Sequence, residues 1–309
     1  MQDRIAAFET YLRVERRRGA STTARYVDIV RSFLAHREAL ASASDFTTVD
    51  RNDCLEFLRS GTVVAGEPSR SVWNLRLSAL RAFYQYLVDL EVIVKNPTHR
   101  IERHKIASRE PIPLSMTEFL DLVEAAERTS PLVRSRNVAI VQVLYNTALR
   151  VAEAVSLDVD RVDWDAYAFR DVRTKGNKWL SAKFPDLVAG VLERYLEDRA
   201  RRKILSEGAL FVSERGTRLS IRAVQQLVRD LGTAAGIQRP VTPHLLRHSC
   251  ATELVDLGTG LKVVQQICGH ASQSTTERYV HVRAGADRAA IDALGSAVDR
   301  GLKARRRAA

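Results

Sequence analysis

The sequence predicts a mostly α-helical chain of two domains, an N-terminal four-helix bundle and a larger, mainly helical second domain with a small antiparallel β-sheet. Three observations lead there. Apolar residues recur at helical spacing along most of the chain, a stretch between Tyr167 and Pro185 switches to strand-like spacing, and Asn96-Pro97 followed by a basic run interrupts the helical pattern. A length of 309 residues suits about two domains, each large enough for its own core.

Taken in order, Ile5, Phe8 and Leu12 fall on one helical face, and Tyr26, Ile29, Val30, Phe33 and Leu34 on another, with Ser21 expected as the cap of the second helix. A third helix is expected near Asp50 to Leu58, ending at Gly61. The fourth is longer, from about Ser71 to Val92, with Leu75, Leu77, Leu80, Phe83, Tyr84, Tyr86 and Leu87 on its apolar side. Residues 1–95 are therefore expected as the N-terminal bundle. Asn96-Pro97 and the stretch His99-Arg100-Ile101-Glu102-Arg103-His104-Lys105 read as a basic interdomain linker over 96–110.

The second domain, expected over 111–295, opens with Ser115 and Glu118 at capping-box spacing. Pro131 suits the first turn of the next helix, which carries Ile140, Val141, Val143 and Leu144 towards Arg150. The strand-like stretch turns at Lys175-Gly176-Asn177-Lys178, which puts Lys175 at a hairpin tip. A helix from about Leu187 to Arg201, a short apolar run Ala209 to Val212 and further helices follow. A basic tail, 296–309, ends in Arg305-Arg306-Arg307.

Composition narrows the class of partner. The chain holds 48 Lys and Arg against 37 Asp and Glu, a net charge of +11. Residues 1–95 hold 14 basic and 12 acidic side chains, so most of the excess falls on the linker and second domain. Such an excess favours a polyanion through counterion release, although charge alone also fits a soluble protein of arginine-rich composition. Cys54, Cys250 and Cys268 have neither metal-ligand spacing nor a paired framework, and read as buried or idle thiols in a reducing compartment. No signal-type apolar run opens the chain and no uncharged stretch of about 18 apolar residues occurs, so a cytoplasmic protein with no membrane partner is expected.

The most informative residues are Pro243-His244-Leu245-Leu246-Arg247-His248, then Cys268-Gly269-His270, then Tyr279, with Arg150 upstream in Ala148-Leu149-Arg150-Val151-Ala152-Glu153. His244 and Arg247 are three apart, so on a helix they address the same small anion. A phosphodiester in its pentacoordinate transition state spreads added negative charge over two non-bridging oxygens, which arginine's planar fork meets with parallel charge-assisted bonds. Arg150 and Arg247 are candidates for that clamp. A tyrosine hydroxyl, with an ordinary pKa of about 10, attacks phosphorus when nearby positive charge favours its anion and a base takes its proton. Tyr279 fits that role, with His244 as base or proton relay, and Lys175 on its hairpin as general acid for the departing sugar oxygen. The covalent intermediate conserves the energy of the broken bond, so no cofactor is needed. No His/Cys/Asp/Glu cluster with metal spacing and no nucleotide-binding G-x-x-x-x-G-K-[ST] loop occurs, so neither metal nor ATP chemistry is expected.

On these residues the chain resembles the tyrosine recombinases, or phage integrase family, and within it the Xer-type members. TALRVAEAVSL is similar to the family's first arginine box, TKGNKWL to its lysine hairpin, TPHLLRHSCATEL to its H-x-x-R box and VVQQICGHASQSTTERYVHV to its last box. The resemblance implies a tyrosine recombinase fold with a SAM-like core-binding bundle. It also implies an active site of Arg150, Lys175, His244, Arg247 and His270, with Tyr279 as the nucleophile that forms a 3′-phosphotyrosyl link to DNA. Ala148 and Thr174 depart from places where the family usually has glycine, and Trp179-Leu180 from a more polar pair.

Each residue also has an ordinary reading. H-x-x-R can be a surface or capping pair, Arg150 with Glu153 a salt bridge, His270 a helix-end cap, Lys175 part of a common turn and Tyr279 a half-buried aromatic. His248 faces elsewhere on its helix and is read as structural. For all the ordinary readings to hold at once, six residues must match one family in order and spacing by chance.

Two other classes compete. A DNA-binding regulator would keep the fold without chemistry, and a type IB-like topoisomerase would relax supercoils without synapsis. The expected partner is a double-stranded recombination site bound by a homo- or hetero-tetramer on two duplexes, with a C-terminal helix docking on the neighbouring subunit. A paralogous recombinase and a septal DNA translocase are further possible partners. The chain begins almost directly with the bundle, which suits Xer-type resolution of chromosome or plasmid dimers, with integration of a mobile element as the alternative.

Overall fold

The computed structural model describes residues 2–39, 46–60, 63–64, 67–106, 111–174, 178–204 and 208–269. The chain divides into two compact units between Arg109 and Glu110.

The first unit contains α1 (Gln2–Val14), α2 (Ala20–Ala39), α3 (Arg51–Arg59) and α4 (Arg70–Asp89), with a two-rung antiparallel pair, β1 (Val63–Val64) and β2 (Glu67–Pro68), before α4. Trp73, Leu77, Leu80, Phe83, Tyr84 and Leu87 recur every three or four residues along α4 and are all buried. Against that stripe pack Phe8 and Leu12 of α1, Val30 and Phe33 of α2, and Phe57 and Leu58 of α3. Phe8 meets Phe83 edge to face at 5.2 Å between centroids, an arrangement ring quadrupoles favour. α3 begins at a reciprocal cap in which Asp50 accepts from the Asp53 backbone N–H and Asp53 from that of Asp50. Ser21 is not a cap. α2 already starts at Ala20, because the Gly19 carbonyl accepts from the backbone N–H groups of Thr22 and Thr23.

The described part of the basic stretch after Asn96-Pro97 is laid along α4. The Asn74 amide exchanges two hydrogen bonds with the His104 backbone, at 2.8 and 2.9 Å. Arg81 donates to the Ile101 carbonyl at 2.6 Å, and Ile101 enters the core. The His104 ring stacks on Trp73 at 4.4 Å between centroids. These contacts explain why the first unit reaches past residue 95.

The second unit holds α5 (Met116–Glu127), α6 (Arg134–Asn146), α7 (Val151–Val155), β3 (Val162–Asp163), β4 (Ala168–Thr174), β5 (Lys178–Lys183), α8 (Asp186–Arg201), α9 (Ile221–Ala234), α10 (Pro243–Asp256) and α11 (Leu261–Cys268). Ser115 and Glu118 form the expected capping box. Pro131 lies before α6 instead of in its first turn: the Ser130 carbonyl accepts from both Val133 and Arg134 N–H, closing a turn that delays the helix to Arg134. α6 is the spine of the core, with Ala139, Ile140, Val141, Val143, Leu144 and Tyr145 buried. β3, β4 and β5 make an antiparallel sheet in that order, with Val172 opposite Leu180, Arg173 opposite Trp179 and Thr174 opposite Lys178. Its inner face, Phe169, Val172, Leu180 and Ala182, joins the core. The run Ala209 to Val212 is buried and makes isolated bridges at Asp158 and Arg218, completing the floor beneath α8 and α9.

Candidate active site

Arg150 sits at the start of α7, where it is held twice by one side chain. Its backbone N–H donates to Glu153 Oε2 at 2.7 Å and its Nη1 to Glu153 Oε1 at 2.8 Å. The five-residue helix thus fixes the direction of the guanidinium, because Arg150 and Glu153 are three apart on one face. Glu153 is only 4% exposed. Its Oε2 also lies 3.9 Å from Nη1 of Arg247, so one buried carboxylate serves two guanidinium groups.

Arg247 comes from the middle of α10 and is 2% exposed. Its Nη1 donates to the Ala148 carbonyl at 2.5 Å and its Nη2 to the Cys268 carbonyl at the end of α11. Arg150 Nη2 donates to the next carbonyl, that of Gly269, at 3.3 Å. Two arginines and one glutamate leave a net positive charge in a largely enclosed place, the condition for attracting an anion.

Ala148 aims its carbonyl at Arg247 from a left-handed conformation, φ 51°, that an alanine adopts at a cost. The sequence comparison with glycine at this place has a physical basis in that angle. Gly269 closes α11, also left-handed, and a side-chain carbon there would meet Leu180 at 3.8 Å, Arg150 Nη1 at 3.9 Å and Thr174 at 4.0 Å. Gly269 is therefore seated between Arg150 and the root of the β4–β5 hairpin.

His244 follows the Thr242 cap and Pro243 in the first turn of α10, one turn before Arg247. Its ring remains exposed to solvent. Partial desolvation, then the positive charges of Arg247 and Arg150, hold its pKa below the ordinary 6.5. A neutral imidazole beside two cations is a proton acceptor at neutral pH.

Of the six residues singled out in the sequence, Arg150, His244 and Arg247 are brought together. Lys175, His270 and Tyr279 lie outside the described residues. Gly269, the chain neighbour of His270, borders both Arg150 and Thr174, the chain neighbour of Lys175. Glu153 is the residue whose place the sequence understated: it figured there only as an ordinary salt-bridge partner of Arg150, and the structure brings it to Arg247 as well. The i, i+3 spacing was its signal.

Cys250 and Cys268 lie under the site in a small apolar cluster with Ala148, Ala251 and Val264. Burial pushes the Cys250 thiol up to about 12 and raises that of Cys268, so both are poor nucleophiles. Among the described residues no group of three metal-ligating side chains occurs, and no helix is long and apolar enough to cross a membrane.

A paired-arginine site on a helical scaffold, with a histidine beside it and a hairpin at its edge, has the charge and geometry to hold a phosphate-like anion. Comparison with known proteins gives the family. Residues 113–285 match the phage integrase family and residues 5–91 match the phage integrase N-terminal SAM-like domain. Tyrosine recombinase XerC of Lacticaseibacillus casei (strain BL23) is 32% identical over 283 residues, covering 90% of this chain and 93% of the relative. Tyrosine recombinase XerD of Listeria monocytogenes serotype 4b (strain F2365) is 32% identical over 285 residues, 91% and 95% of the two chains. The crystal structure of XerA recombinase is similar at TM-score 0.51 and 30% identity, covering 93% of this chain and 96% of that one. A post-cleavage complex of XerH site-specific recombinase with a palindromic difH substrate shares the fold at TM-score 0.68 and 21% identity, covering 93% and 83%. The chain belongs to the phage integrase family, as a tyrosine recombinase that cleaves and rejoins DNA by site-specific recombination.

Proposed function

We propose that this recombinase acts on duplex DNA in the Xer manner, resolving chromosome or plasmid dimers through a covalent 3′-phosphotyrosyl intermediate. Tyr279 Oη attacks the scissile phosphorus, forming the tyrosyl ester as the bond to the 5′ oxygen breaks. His244 takes or relays the tyrosyl proton, and Lys175 gives one to the departing 5′ oxygen. Arg150 and Arg247 bind the non-bridging oxygens, where charge develops in the transition state, with His270 beside them. Rejoining is the same step in reverse, with a 5′ hydroxyl from the partner duplex attacking the phosphotyrosine.

The observation that carries this reading is the pairing of Arg150 and Arg247 on one buried carboxylate with a neutral His244 over them. It makes a preset, doubly cationic clamp, and Gly269, the chain neighbour of His270, borders Arg150, which supports the reading. The likeness to relatives named XerC and XerD along nine-tenths of the chain supports the Xer role. In the same reading the active assembly is a tetramer on two duplexes, made of this chain alone or with a paralogous recombinase. Its C-terminal segment, which lies outside the described residues, docks on a neighbour, and a septal DNA translocase is a candidate activator.

The test is a nicked half-site substrate that traps the adduct. The wild-type chain forms a covalent complex resistant to denaturant, and Tyr279→Phe forms none while keeping its DNA affinity. An adduct with Tyr279→Phe overturns the assignment. Sequencing the DNA trapped in the host separates a chromosomal resolution site from the ends of a mobile element.

A further inference from the structure

α7 has Arg150 at its start and is only five residues long, about 7.5 Å from end to end. A helix that short does not hold itself together, so whatever binds its two ends decides where it lies. Glu153 secures the first end, through the Arg150 backbone and guanidinium. The last end is secured from a distant part of the chain, by Arg218.

Arg218 Nη1 donates to the carbonyls of Val155 and Leu157, both at 2.9 Å, and Nη2 donates to the carboxylate of Asp158. Val155 is the last residue of α7, where carbonyls have no partner within the helix and where a cation suits the negative end of its dipole. Arg218 is itself well anchored. It bridges Val212, and its neighbour Leu219 donates to the Phe211 carbonyl at 3.0 Å and is buried in the core. Ser220 then caps α9. One guanidinium thus ties the end of α7 to the run Ala209 to Val212 and to the start of α9, and its fork is spent on this chain instead of on a ligand. The side chain is 39% exposed, so water can replace it at the carbonyls. Water would satisfy them without resisting rotation of the helix.

We propose that Arg218 is a positioning residue for strand cleavage: by holding the C-terminal carbonyls of α7 it keeps the Arg150 guanidinium in register with that of Arg247. This rests on the reading of Arg150 as one arm of the phosphate clamp. A turn of α7 carries the Arg150 fork with it, and a fork that meets a phosphate oxygen with parallel bonds tolerates little misdirection.

The experiment uses the full chain and nicked half-site duplexes cut from the DNA that the wild-type protein binds in its host. Single-turnover cleavage is measured with saturating protein, DNA affinity is measured separately, and each non-bridging oxygen of the scissile phosphate is replaced in turn by sulfur, a poorer acceptor. Arg218→Ala is expected to leave affinity unchanged and to slow cleavage about tenfold, less than the full cost of a displacement of about 1 Å because Glu153 still holds Arg150. The ratio of rates for the two sulfur-substituted substrates is expected to change with it, since only one arm of the clamp has loosened. Arg218→Lys, whose amine can still donate to a carbonyl, is expected to recover part of both, and it carries the measurement where Arg218→Ala does not fold. If the urea midpoint falls while rate and ratio stay as in the wild type, Arg218 serves the fold and the proposal is overturned. A slower rate with an unchanged ratio overturns it too, because the loss then lies outside the clamp. Arg150→Lys separates the two readings. If it cleaves as fast as the wild type, the clamp reading has failed and this one with it; if it is slow while Arg218→Ala is not, the role of Arg218 alone has failed.

Discussion

Glu153 Oε1 lies 2.8 Å from Arg150 Nη1, while its other oxygen binds the Arg150 backbone N–H and approaches Arg247. Three groups from α7 and α10 are thus located by one carboxylate. Removing one partner of a buried ion pair costs about 3–5 kcal/mol, because the remaining charge is left uncompensated. Orientation is the further consequence, since a displacement of about 1 Å in a catalytic group lowers a rate by about a hundredfold.

Glu153→Gln retains the shape but not the charge. The expected outcome is adduct formation on a nicked half-site slower by about a hundredfold, together with a lower urea midpoint. If the rate is unchanged while stability falls, Glu153 is a structural residue only.

The bundle was legible because Phe8, Leu12, Val30, Phe33, Leu77, Leu80 and Phe83 keep helical spacing and every one is buried. The hairpin was legible because strand alternation at Val172, Leu180 and Ala182 marks the inner face. Helix starts were less so: Ser21 and Pro131 have the right chemistry for starts, but the carbonyls of Gly19 and Ser130 decide them. In the site, His244 and Arg247 announced themselves by i, i+3 spacing, whereas the meeting of Arg247 with Ala148 and Cys268 spans 99 and 21 residues. No local pattern encodes contacts of that range.

In the proposed mechanism His244 is the base, so its protonation would set the acid side of the reaction. Its folded pKa lies below 6.5, so the neutral base persists into mildly acidic solution. The acid limb of the single-turnover rate is expected below pH 6.5, and a limb at or above it counts against His244 as the base. The stability sign follows the same shift. Folding disfavours the imidazolium, so the stability linked to His244 is present above pH 6.5 and is lost as pH falls through the lowered pKa. His244→Gln should remove that part of the pH dependence of the melting temperature.

Ala148 tests the left-handed turn that aims a carbonyl at Arg247. Glycine there relieves a conformational cost of about 1–2 kcal/mol, but gives up a buried methyl worth about 0.8 kcal/mol and adds unfolded-chain entropy. These nearly cancel, and Ala148→Gly should change stability by less than about 1 kcal/mol. Ala148→Val adds bulk at a fully buried position and a β-branch at positive φ. It should destabilise by more than about 2 kcal/mol and slow cleavage, since both the overpacking and the misdirected carbonyl act together. Equal stabilities for the two variants would mean the turn is not strained.

Glu118 and Arg239 tie the start of α5 to the loop before α10. The carboxylate receives both Nη1 and Nη2 of Arg239, at 2.6 and 2.7 Å, and the Arg239 hydrogen bond holds its pKa down to about 2. Arg239 Nη2 also donates to the Pro113 carbonyl at 2.9 Å. The pair is partly open to solvent, so after screening its contribution is about 1–2 kcal/mol. A depressed folded pKa stabilises above the ordinary carboxylate value of 4.5 and loses that stabilisation as pH falls towards 2. Arg239→Ala should therefore lower the urea midpoint clearly at pH 7 and less at pH 3, where part of the ion-pair contribution is already lost and the Pro113 contact is still missed. A penalty that is the same at both values would show that the carbonyl bond, and not the ion pair, holds α5 in place.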